Sequence, residues 1–288
     1  MKIKVNPARK TYIYISTVLL ILLSLAMVLP LLKVVAESFS GKTYIEQNKV
    51  LFWPRGFNVE AYKRVFSNPN IFVALKNSVV ITVVGTLIDL FMTAMMAYPL
   101  SRREFKNKKP ILMMVTLTMI FTSPMIPSYL VIKGLGLDNS IWAVILPGMI
   151  SGYNFFIMRS FFAGLPGELI DAARIDGCGE FRVLWQIVIP LSKAVMATMT
   201  LFYGVSHWNA LQQPLIYLRD PKKHTLQIKL YQILMEDNIP MVDVGQVELA
   251  PATVKMATIV IATVPILIVY PFLQKHFAAG ATLGSVKE

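Results

Sequence analysis

The sequence predicts an all-α integral membrane protein that folds as a single transmembrane domain of six helices over residues 1–288. Of its 288 residues, 55 % are apolar and only 15 % are charged, whereas a soluble domain carries about 25 % charged residues. Six stretches are free or nearly free of charge and reach about 20 residues, the length that crosses the hydrocarbon core of a bilayer. The single cysteine, Cys178, excludes an internal disulfide and a multi-cysteine metal site.

The six predicted spans follow one another with polar segments between them. They lie near residues 11–32, 77–101, 110–132, 139–158, 194–218 and 256–274. The first is too long for a signal peptide, and no cleavage site of small residues follows it. Pro124 and Pro127 interrupt the third span, and Pro147 interrupts the fourth. Such breaks let membrane helices bend, because neighbouring helices satisfy the freed carbonyls.

Basic residues flank the predicted spans on one side of the membrane. Four precede the first span and five lie between the second and the third: Lys2, Lys4, Arg9, Lys10, Arg102, Arg103, Lys106, Lys108 and Lys109. Since Lys and Arg concentrate in short cytoplasmic loops, both termini and the loop 165–194 are expected in the cytoplasm. The net charge of +12 is accordingly attributed to flanks that face anionic lipid and not to nucleic-acid binding.

The polar stretch between spans four and five, residues 165–194, is the most informative segment. Pro166 and Glu168 suit the first turn of a short helix, and Arg174 suits its last turn. Gly177 provides the left-handed residue that ends this helix, and a second helix follows that ends at Pro190. Two sets of residues give these helices apolar faces: Leu169, Ile170, Ala172 and Ala173 in the first, and Phe181, Leu184, Trp185 and Val188 in the second. The pattern fits either an ordinary interfacial loop or a docking surface.

Three short motifs in this stretch carry a family resemblance. Asp171-Ala172-Ala173, Asp176-Gly177 and Ile189-Pro190 resemble the EAA loop of ABC importer permeases, with the glycine and the proline at matching spacing. The resemblance implies that the loop is a coupling helix, which sits in a cleft of the ATP-binding subunit and carries its motion to the membrane helices. It assigns ATPase coupling to Glu168, Asp171, Ala172, Ala173, Asp176, Gly177 and Pro190.

The loop departs from the family pattern at three positions. Asp171 replaces the usual Glu and is one methylene shorter, so a salt bridge to the ATPase must be re-aimed. Cys178 replaces a common Ala, and Ala194 stands where many relatives have a proline. The glycine hinge is retained.

The resemblance extends from about Tyr12 to Lys287. The motifs Pro127–Leu130, Leu135–Leu137, Trp208–Asn209 and Pro214–Leu218 resemble the carbohydrate-uptake, maltose-type branch, and within it permeases for complex oligosaccharides and polysaccharides. The end of the chain, with Gly284, Ser285 and Lys287, resembles a tail that in some members reaches into the ATPase dimer interface. A frayed terminus is the alternative.

The family implies both a function and a set of partners. The chain is expected to be the membrane-spanning permease subunit of an ATP-driven, binding-protein-dependent oligosaccharide importer in the bacterial cytoplasmic membrane. Its expected partners are a second homologous permease subunit, a dimer of ATP-binding subunits, an extracytoplasmic sugar-binding protein and the lipid bilayer. No G-x-x-x-x-G-K-[ST] motif occurs in the sequence. ATP and Mg²⁺ are therefore expected on the partner subunits, and this chain is expected to be no enzyme and to bind no cofactor or metal.

Span five carries the polar and aromatic groups that a path for sugars needs. Tyr203, Trp208, Asn209 and Gln212, with Asn154 of span four, are the candidate path residues. Polar groups are costly in lipid, so we expect them to face the interior of the bundle. An interfacial anchor for Trp208 and hydrogen bonds between helices for the others are the structural alternatives.

Three other functions stay open from the sequence. All ABC importer permeases share the EAA loop, so the solute can instead be an amino acid, phosphate or a polyamine. Asp89 is the only carboxylate well inside a span, and such an acid suggests a proton-coupled secondary transporter as an alternative. No chain of proton-transfer partners is evident in the sequence, so a structural hydrogen bond is the preferred interpretation of Asp89. An integral-membrane enzyme is disfavoured, because His207, His224 and His276 are scattered and no nucleophile elbow occurs.

Overall fold

The structure is a computed structural model that describes residues 7–235 and 251–283. Every regular element in these ranges is helical. The α-helices are α1 (Pro7–Ser38), α2 (Lys42–Glu46), α3 (Glu60–Ser67), α4 (Pro69–Ser101), α5 (Lys108–Ile120), α6 (Met125–Gly134), α7 (Trp142–Ile145), α8 (Gly152–Ala163), α9 (Gly167–Ile175), α10 (Glu180–Val183), α11 (Ile189–Leu191), α12 (Lys193–Asn209), α13 (Gln212–Tyr217), α14 (Leu226–Met235) and α15 (Pro251–Leu283). Short 3-10 turns occupy Leu146–Gly148 and Pro221–Lys223, and a π-helical segment occupies Leu184–Val188.

The chain divides into two compact units, residues 1–69 with 230–263 and residues 70–229 with 264–288. In the first unit, α1 is apolar around its whole circumference, and its most apolar 18-residue window buries none of its residues against the other residues that the structure describes. Beyond its end, Phe39 stacks with Phe57 at 5.6 Å and with Tyr62 at 4.7 Å between ring centroids. Ser38 Oγ and the Tyr62 hydroxyl hydrogen-bond at 2.7 Å, which ties α1 to α3.

The second unit has its core where α8 and α12 pack together. Its largest fully buried side chains include Phe155, Met158, Phe162, Leu184 and Met199. Ile170 and Ala173 of α9 belong to the same apolar cluster. The short helices of the loop 165–194 are therefore packed into the same core as α8 and α12.

Some predicted spans are single long helices in the structure, and others are bent pairs or short helices. Three helices in the described residues are long and apolar enough to cross a membrane: α1, α4 and α15. Two further spans are bent pairs, α5 with α6 at 119° and Glu180–Leu191 with α12 at 87°. Helix α8 has only 12 residues and follows the predicted break at Pro147. The structure thus supports three to five crossings, and the count of six stays a prediction.

The two breaks have simple causes. Between α5 and α6, Pro124 is the N-cap of α6, with an extended backbone that cannot continue a helix. Between the segment Glu180–Leu191 and α12, Ser192 leaves the helical region at φ −103° and ψ 21°. The proline break in the third span was predicted from the sequence. The break at Ser192 was not.

Candidate coupling loop and transport cavity

The loop 165–194 forms two helical segments joined at Gly177, as predicted. The first is α9, and the second runs without a break from Glu180 to Leu191. Gly177 has φ +80°, a conformation in which any other residue is strained. The Cys178 amide donates to the Ala173 carbonyl at 2.9 Å, and the Gly177 amide donates to the Arg174 carbonyl at 3.0 Å. These two bonds form a Schellman motif, which satisfies carbonyls that the end of α9 would leave unpaired.

The ends of both segments differ slightly from the sequence expectation. Pro166 is the N-cap of α9 and lies just outside its first turn, in which Glu168 lies. The second segment passes through Pro190 and ends one residue later, at Leu191. Proline has no N–H to donate, and the π-helical turn Leu184–Val188 precedes it. A π turn can accommodate the hydrogen bond that is missing at Pro190 without ending the helix.

The four apolar residues expected to form one face of α9 point in two directions. Ile170 and Ala173 are buried in the core, whereas Leu169 is 46 % exposed and Ala172 is also exposed. The expectation of one smooth face was wrong, because residues 169 and 170 lie about 100° apart around a helix. Ile175, at 87 % exposure, joins the outward face. Glu168 and Asp171 are exposed on the same short helix, and Asp176, the residue that caps its C-terminal end, is exposed too.

The second segment also buries a different set of residues from the one predicted. Val183, Leu184 and Val188 are buried, while Phe181 is 59 % exposed and Trp185 is 38 % exposed. The π turn changes the helical register between these residues, so the simple i, i+3, i+4, i+7 pattern fails here. Trp185 instead stacks on Phe91 of α4, at 5.8 Å between ring centroids.

An ionic cluster holds α9 against the start of α10 and the residues that follow α4. Arg174 Nε donates to Glu180 Oε1 at 2.8 Å. Arg174 Nη1 lies 3.3 Å from both Glu104 Oε1 and Asp171 Oδ1. The Tyr98 hydroxyl, at the end of α4, donates to Glu180 Oε2 at 2.6 Å. Both oxygens of Glu180 are therefore engaged, one by α4 and one by α9.

These contacts shift the charged groups of the cluster in the direction that favours their charged forms. The pKa of Glu180 lies below its ordinary value, chiefly because Tyr98 donates to it and also because of Arg174. The pKa of Arg174 is raised, first by its bond to Glu180. Asp171 thus pairs within the chain, at 64 % side-chain exposure, and still has a carboxylate face open to a partner.

Two further arginines fasten the end of α4 to α8. Arg159 Nε donates to the Leu100 carbonyl at 2.8 Å, and Arg102 donates to the Phe162 carbonyl. The Arg102 guanidinium also lies 5.5 Å from the centre of the Tyr98 ring. Desolvation lowers the pKa of Arg102. These contacts fix the end of α4 against α8.

A second site is a cavity of about 760 Å³ in the second unit. Its lining includes polar and aromatic residues from several helices: Asp89, Ser151, Tyr153, Asn154, Phe202, Tyr203, Ser206, His207 and Gln213. The Tyr203 hydroxyl hydrogen-bonds Thr93 Oγ1 at 2.7 Å and accepts from the Ser151 amide at 3.2 Å. The Tyr153 and Phe202 rings lie 6.5 Å apart. Aromatic faces beside hydrogen-bonding groups are what a sugar site requires.

Asp89 has a partner that sequence reasoning missed. Its Oδ2 lies 2.7 Å from His207 Nε2, although the two residues are 118 positions apart. Asp89 is 1 % exposed, and the side chain of His207 is 10 % exposed. The pairing depends on Gly85 of α4, because a Cβ at that position would lie 2.6 Å from His207 Nε2. Helical periodicity gives no information on residues so far apart in sequence. The only signal in the sequence was Gly85, whose missing side chain allows another helix to approach α4 closely.

The five candidate path residues do not share one site. Tyr203 and Asn154 line the cavity and are buried. Trp208 lines a separate apolar groove of about 430 Å³ between α4, α12 and α15. Asn209 and Gln212 are exposed and are absent from the lining of both. Their assignment to the path is therefore unsupported by the geometry.

Two remaining expectations concern the tail and metals. Gly284, Ser285 and Lys287 lie outside the described residues. Within residues 7–235 and 251–283, no group of three His, Cys, Asp or Glu side chains is arranged to hold a metal ion.

The long apolar helices and the polar loop 165–194 agree with the protein family that the sequence matches. The model for "Binding-protein-dependent transport system inner membrane component" matches residues 71–282. The chain belongs to this family. It is thus an inner-membrane transport permease, and the apolar helices described above place it across the membrane more than once.

Individual relatives are similar to this chain over most of their length. The chain is 42 % identical to the polygalacturonan/rhamnogalacturonan transport system permease protein YtcP of Bacillus subtilis, over 93 % of this chain and 95 % of YtcP. It is 32 % identical to the arabinooligosaccharides transport system permease protein AraQ of Halalkalibacterium halodurans, over 90 % of this chain and 91 % of AraQ. A crystal structure of a bacterial ABC transporter for the acidic polysaccharide alginate is similar with a TM-score of 0.88 and 27 % identity, covering 96 % of this chain and 100 % of that one.

Proposed function

We propose that this chain is the membrane-spanning permease subunit of an ATP-driven importer of oligosaccharides, and of acidic oligosaccharides in particular. The observation that carries the proposal is the similarity along nearly the whole chain to a permease named for polygalacturonan and to a transporter of acidic alginate. Polygalacturonan is a polymer of a uronic acid, so both relatives handle sugars that carry carboxylates. The cavity with its aromatic rings and polar groups is the part of this chain suited to such a solute.

Coupling to ATP hydrolysis is proposed to pass through the loop 165–194. The outward face of α9 presents Leu169, Ala172 and Ile175 with three carboxylates around them, which suits a cleft on another protein. Movement of α9 is transmitted to α4 by Arg174 and Glu180, since Glu180 binds both Arg174 and Tyr98. Gly177 and its Schellman motif fix the angle at which α9 is presented.

The remaining parts of the proposal are supported by membership of a binding-protein-dependent family. The chain crosses the membrane six times with both termini and the coupling loop in the cytoplasm. A second homologous permease completes the pathway, and two partner subunits bind and hydrolyse ATP with Mg²⁺. An extracytoplasmic binding protein delivers the sugar, and alternating access moves it inward. This chain performs no chemical step itself.

The test is transport by the complete complex, reconstituted in proteoliposomes with its partner permease, ATPase subunits and binding protein. Oligogalacturonate should be taken up in a manner that needs ATP inside the vesicle, and an ATPase-inactive partner should abolish uptake. Mass spectrometry of the solute that copurifies with the binding protein should show an oligosaccharide. A binding protein loaded with an amino acid, phosphate or a polyamine, together with uptake of that solute, would contradict the proposal. Uptake that persists with the inactive ATPase and collapses with a protonophore would point to a proton-coupled carrier.

A further inference from the structure

Among the described residues that line the cavity, one group is able to carry a positive charge. None of these residues is Lys or Arg, and His207 is the only basic side chain among them. Asp89 is the only acidic side chain in the same described lining. His207 is therefore the one described group here whose positive charge can attract an anionic solute, and that charge is tied to the pair that it forms with Asp89.

The pair is arranged as a buried proton-sharing unit. One proton lies between His207 Nε2 and Asp89 Oδ2, which are 2.7 Å apart. When the ring carries a second proton on Nδ1, the two residues together have no net charge, and a neutral pair costs less to bury than a single ion. In that state the Nδ1–H group is a donor at the end of a dipole whose negative end is the Asp89 carboxylate.

A second observation marks this pair as more than a link between helices. Asp89 Oδ1 is fully buried and has no hydrogen-bond partner among the described residues. A buried oxygen of this kind costs free energy, and each such group in a native structure calls for an explanation, such as a role in a functional site or an ordered water. A pair selected only to fasten α4 to α12 would be expected to satisfy both oxygens. Gly85 further shows that α4 leaves room for the imidazole at this one place.

We propose that the Asp89–His207 pair recognises the carboxylate of an acidic sugar in this cavity. His207 Nδ1–H donates to a carboxylate oxygen of the sugar, while Asp89 fixes the ring and balances its charge. The Tyr153 and Phe202 rings offer apolar faces to the sugar ring, and the hydroxyl of Ser206 is available to its hydroxyls. The inference rests on the proposed function, since it assigns the residue that selects acidic over neutral sugars within that pathway.

The decisive comparison is between an acidic sugar and its neutral ester. The complete transporter is placed in nanodiscs, without the binding protein, so that the selectivity of the binding protein does not enter the result. Binding of a galacturonate trimer and of its trimethyl ester is measured by calorimetry for the wild type, His207→Gln and the double variant Asp89→Asn/His207→Gln. The double variant keeps two side chains able to hydrogen-bond each other but removes both charges.

We expect both variants to lose about 10- to 100-fold in affinity for the acidic trimer, the range for one hydrogen bond to a charged group. Affinity for the ester should change by less than about threefold, because its contacts are those of a neutral polyol. His224→Gln is the matched control, since His224 is a buried histidine of the same unit outside the cavity lining. It should leave the ratio of the two affinities unchanged.

The outcomes separate this inference from the function on which it rests. Equal losses for both trimers in the double variant would show a structural role for the pair and overturn the inference, as would unchanged binding or no binding of the acidic trimer by the wild type. The proposed function is tested separately by wild-type uptake in proteoliposomes. Uptake of oligogalacturonate with an unaltered acidic-to-ester ratio in His207→Gln overturns the inference and leaves the function standing.

Discussion

The coupling loop and the cavity are both polar regions in an apolar chain, but they are built in opposite ways. The loop is continuous in sequence, and its turn and part of its ion pairing depend on neighbours within six residues, such as Arg174 with Asp171 and Glu180. The cavity is assembled from distant segments, with Asp89 and His207 separated by 118 positions. The loop is therefore expected to be sensitive to changes in backbone angle, whereas the cavity is expected to be sensitive to changes in the packing between helices. The following substitutions test that contrast.

The largest effect is expected from Gly177→Pro in the coupling loop. Gly177 has φ +80°, whereas proline requires about −65°, and the Gly177 amide that bonds Arg174 would be lost. We expect ATP-dependent uptake to fall by more than about tenfold, consistent with a penalty of roughly 3 kcal/mol for misplaced proline, while membrane insertion is retained. Gly179→Pro is the matched control, because Gly179 already has φ −68° and open space at its Cβ position. Equal uptake by the two variants would contradict a special role for Gly177.

In the cavity, Gly85→Ala should have a smaller but clear effect. The added Cβ would lie 2.6 Å from His207 Nε2 and force the ring away from Asp89. Overpacking of this kind costs about 1–3 kcal/mol, so we expect uptake of the acidic oligosaccharide to fall about tenfold. Gly204→Ala is the control, since its Cβ would meet Thr86 Oγ1 at an ordinary 3.6 Å. Normal uptake by Gly85→Ala would show that the Asp89–His207 contact is dispensable.

Asp171→Lys should weaken docking of the ATPase more than it alters this chain. Arg174 retains Glu104 and Glu180 as partners, and exposed pairs contribute at most about 1 kcal/mol. Copurification of the ATPase subunits, measured against rising salt, should show dissociation at lower salt than for the wild type. Glu46→Lys makes the same charge change at an exposed position in the first unit and should leave the complex intact. Retention of the ATPase by both variants at every salt concentration would argue against docking through Asp171.

The smallest effect is expected from Tyr98→Phe, and it should depend on pH. The folded-state pKa of Glu180 is lowered, first by the Tyr98 hydroxyl. Its stabilisation is therefore present above its ordinary pKa and is lost as the pH falls through the lowered value. Removing the hydroxyl should cost about 1 kcal/mol at neutral pH, and this cost should shrink as the pH falls through the lowered pKa of Glu180.

Thermal unfolding of the complex between pH 7 and pH 3 measures this difference. Tyr62→Phe is the control, because its hydroxyl bonds Ser38, which does not titrate in this range. The two variants should lose similar stability at pH 7, but only Tyr98→Phe should approach the wild type at low pH. Parallel curves for the two variants would show that Glu180 does not contribute in the expected way.

The same contrast explains how much could be predicted from the sequence. Proline, glycine and charge placement were sufficient for the two short helices of the loop and the left-handed Gly177, because these are local properties. The faces of those helices were partly wrong, because adjacent residues lie about 100° apart around α9 and because the π turn Leu184–Val188 changes the register of the second segment. Asp89 was correctly singled out, but its partner was not, since packing between α4 and α12 brings in His207. Trp208, Asn209 and Gln212 were assigned from their residue types in span five. Trp208 lines the apolar groove and the other two are exposed, so their place in the path stays a prediction.

Helix α1 has a consequence for how the protein is made. Most of its 32 residues satisfy their backbone hydrogen bonds within the helix, and its most apolar 18-residue window buries none of its residues against the described part of the chain. Such a segment can leave the ribosome and enter the bilayer before any later helix exists, because an apolar helix of this length is stable in lipid without packing against other helices. Insertion of the first span and folding of the remaining subunit are then separate events. A mutation that unfolds the core around Phe155 and Met199 would still leave a protein anchored in the membrane by its first helix.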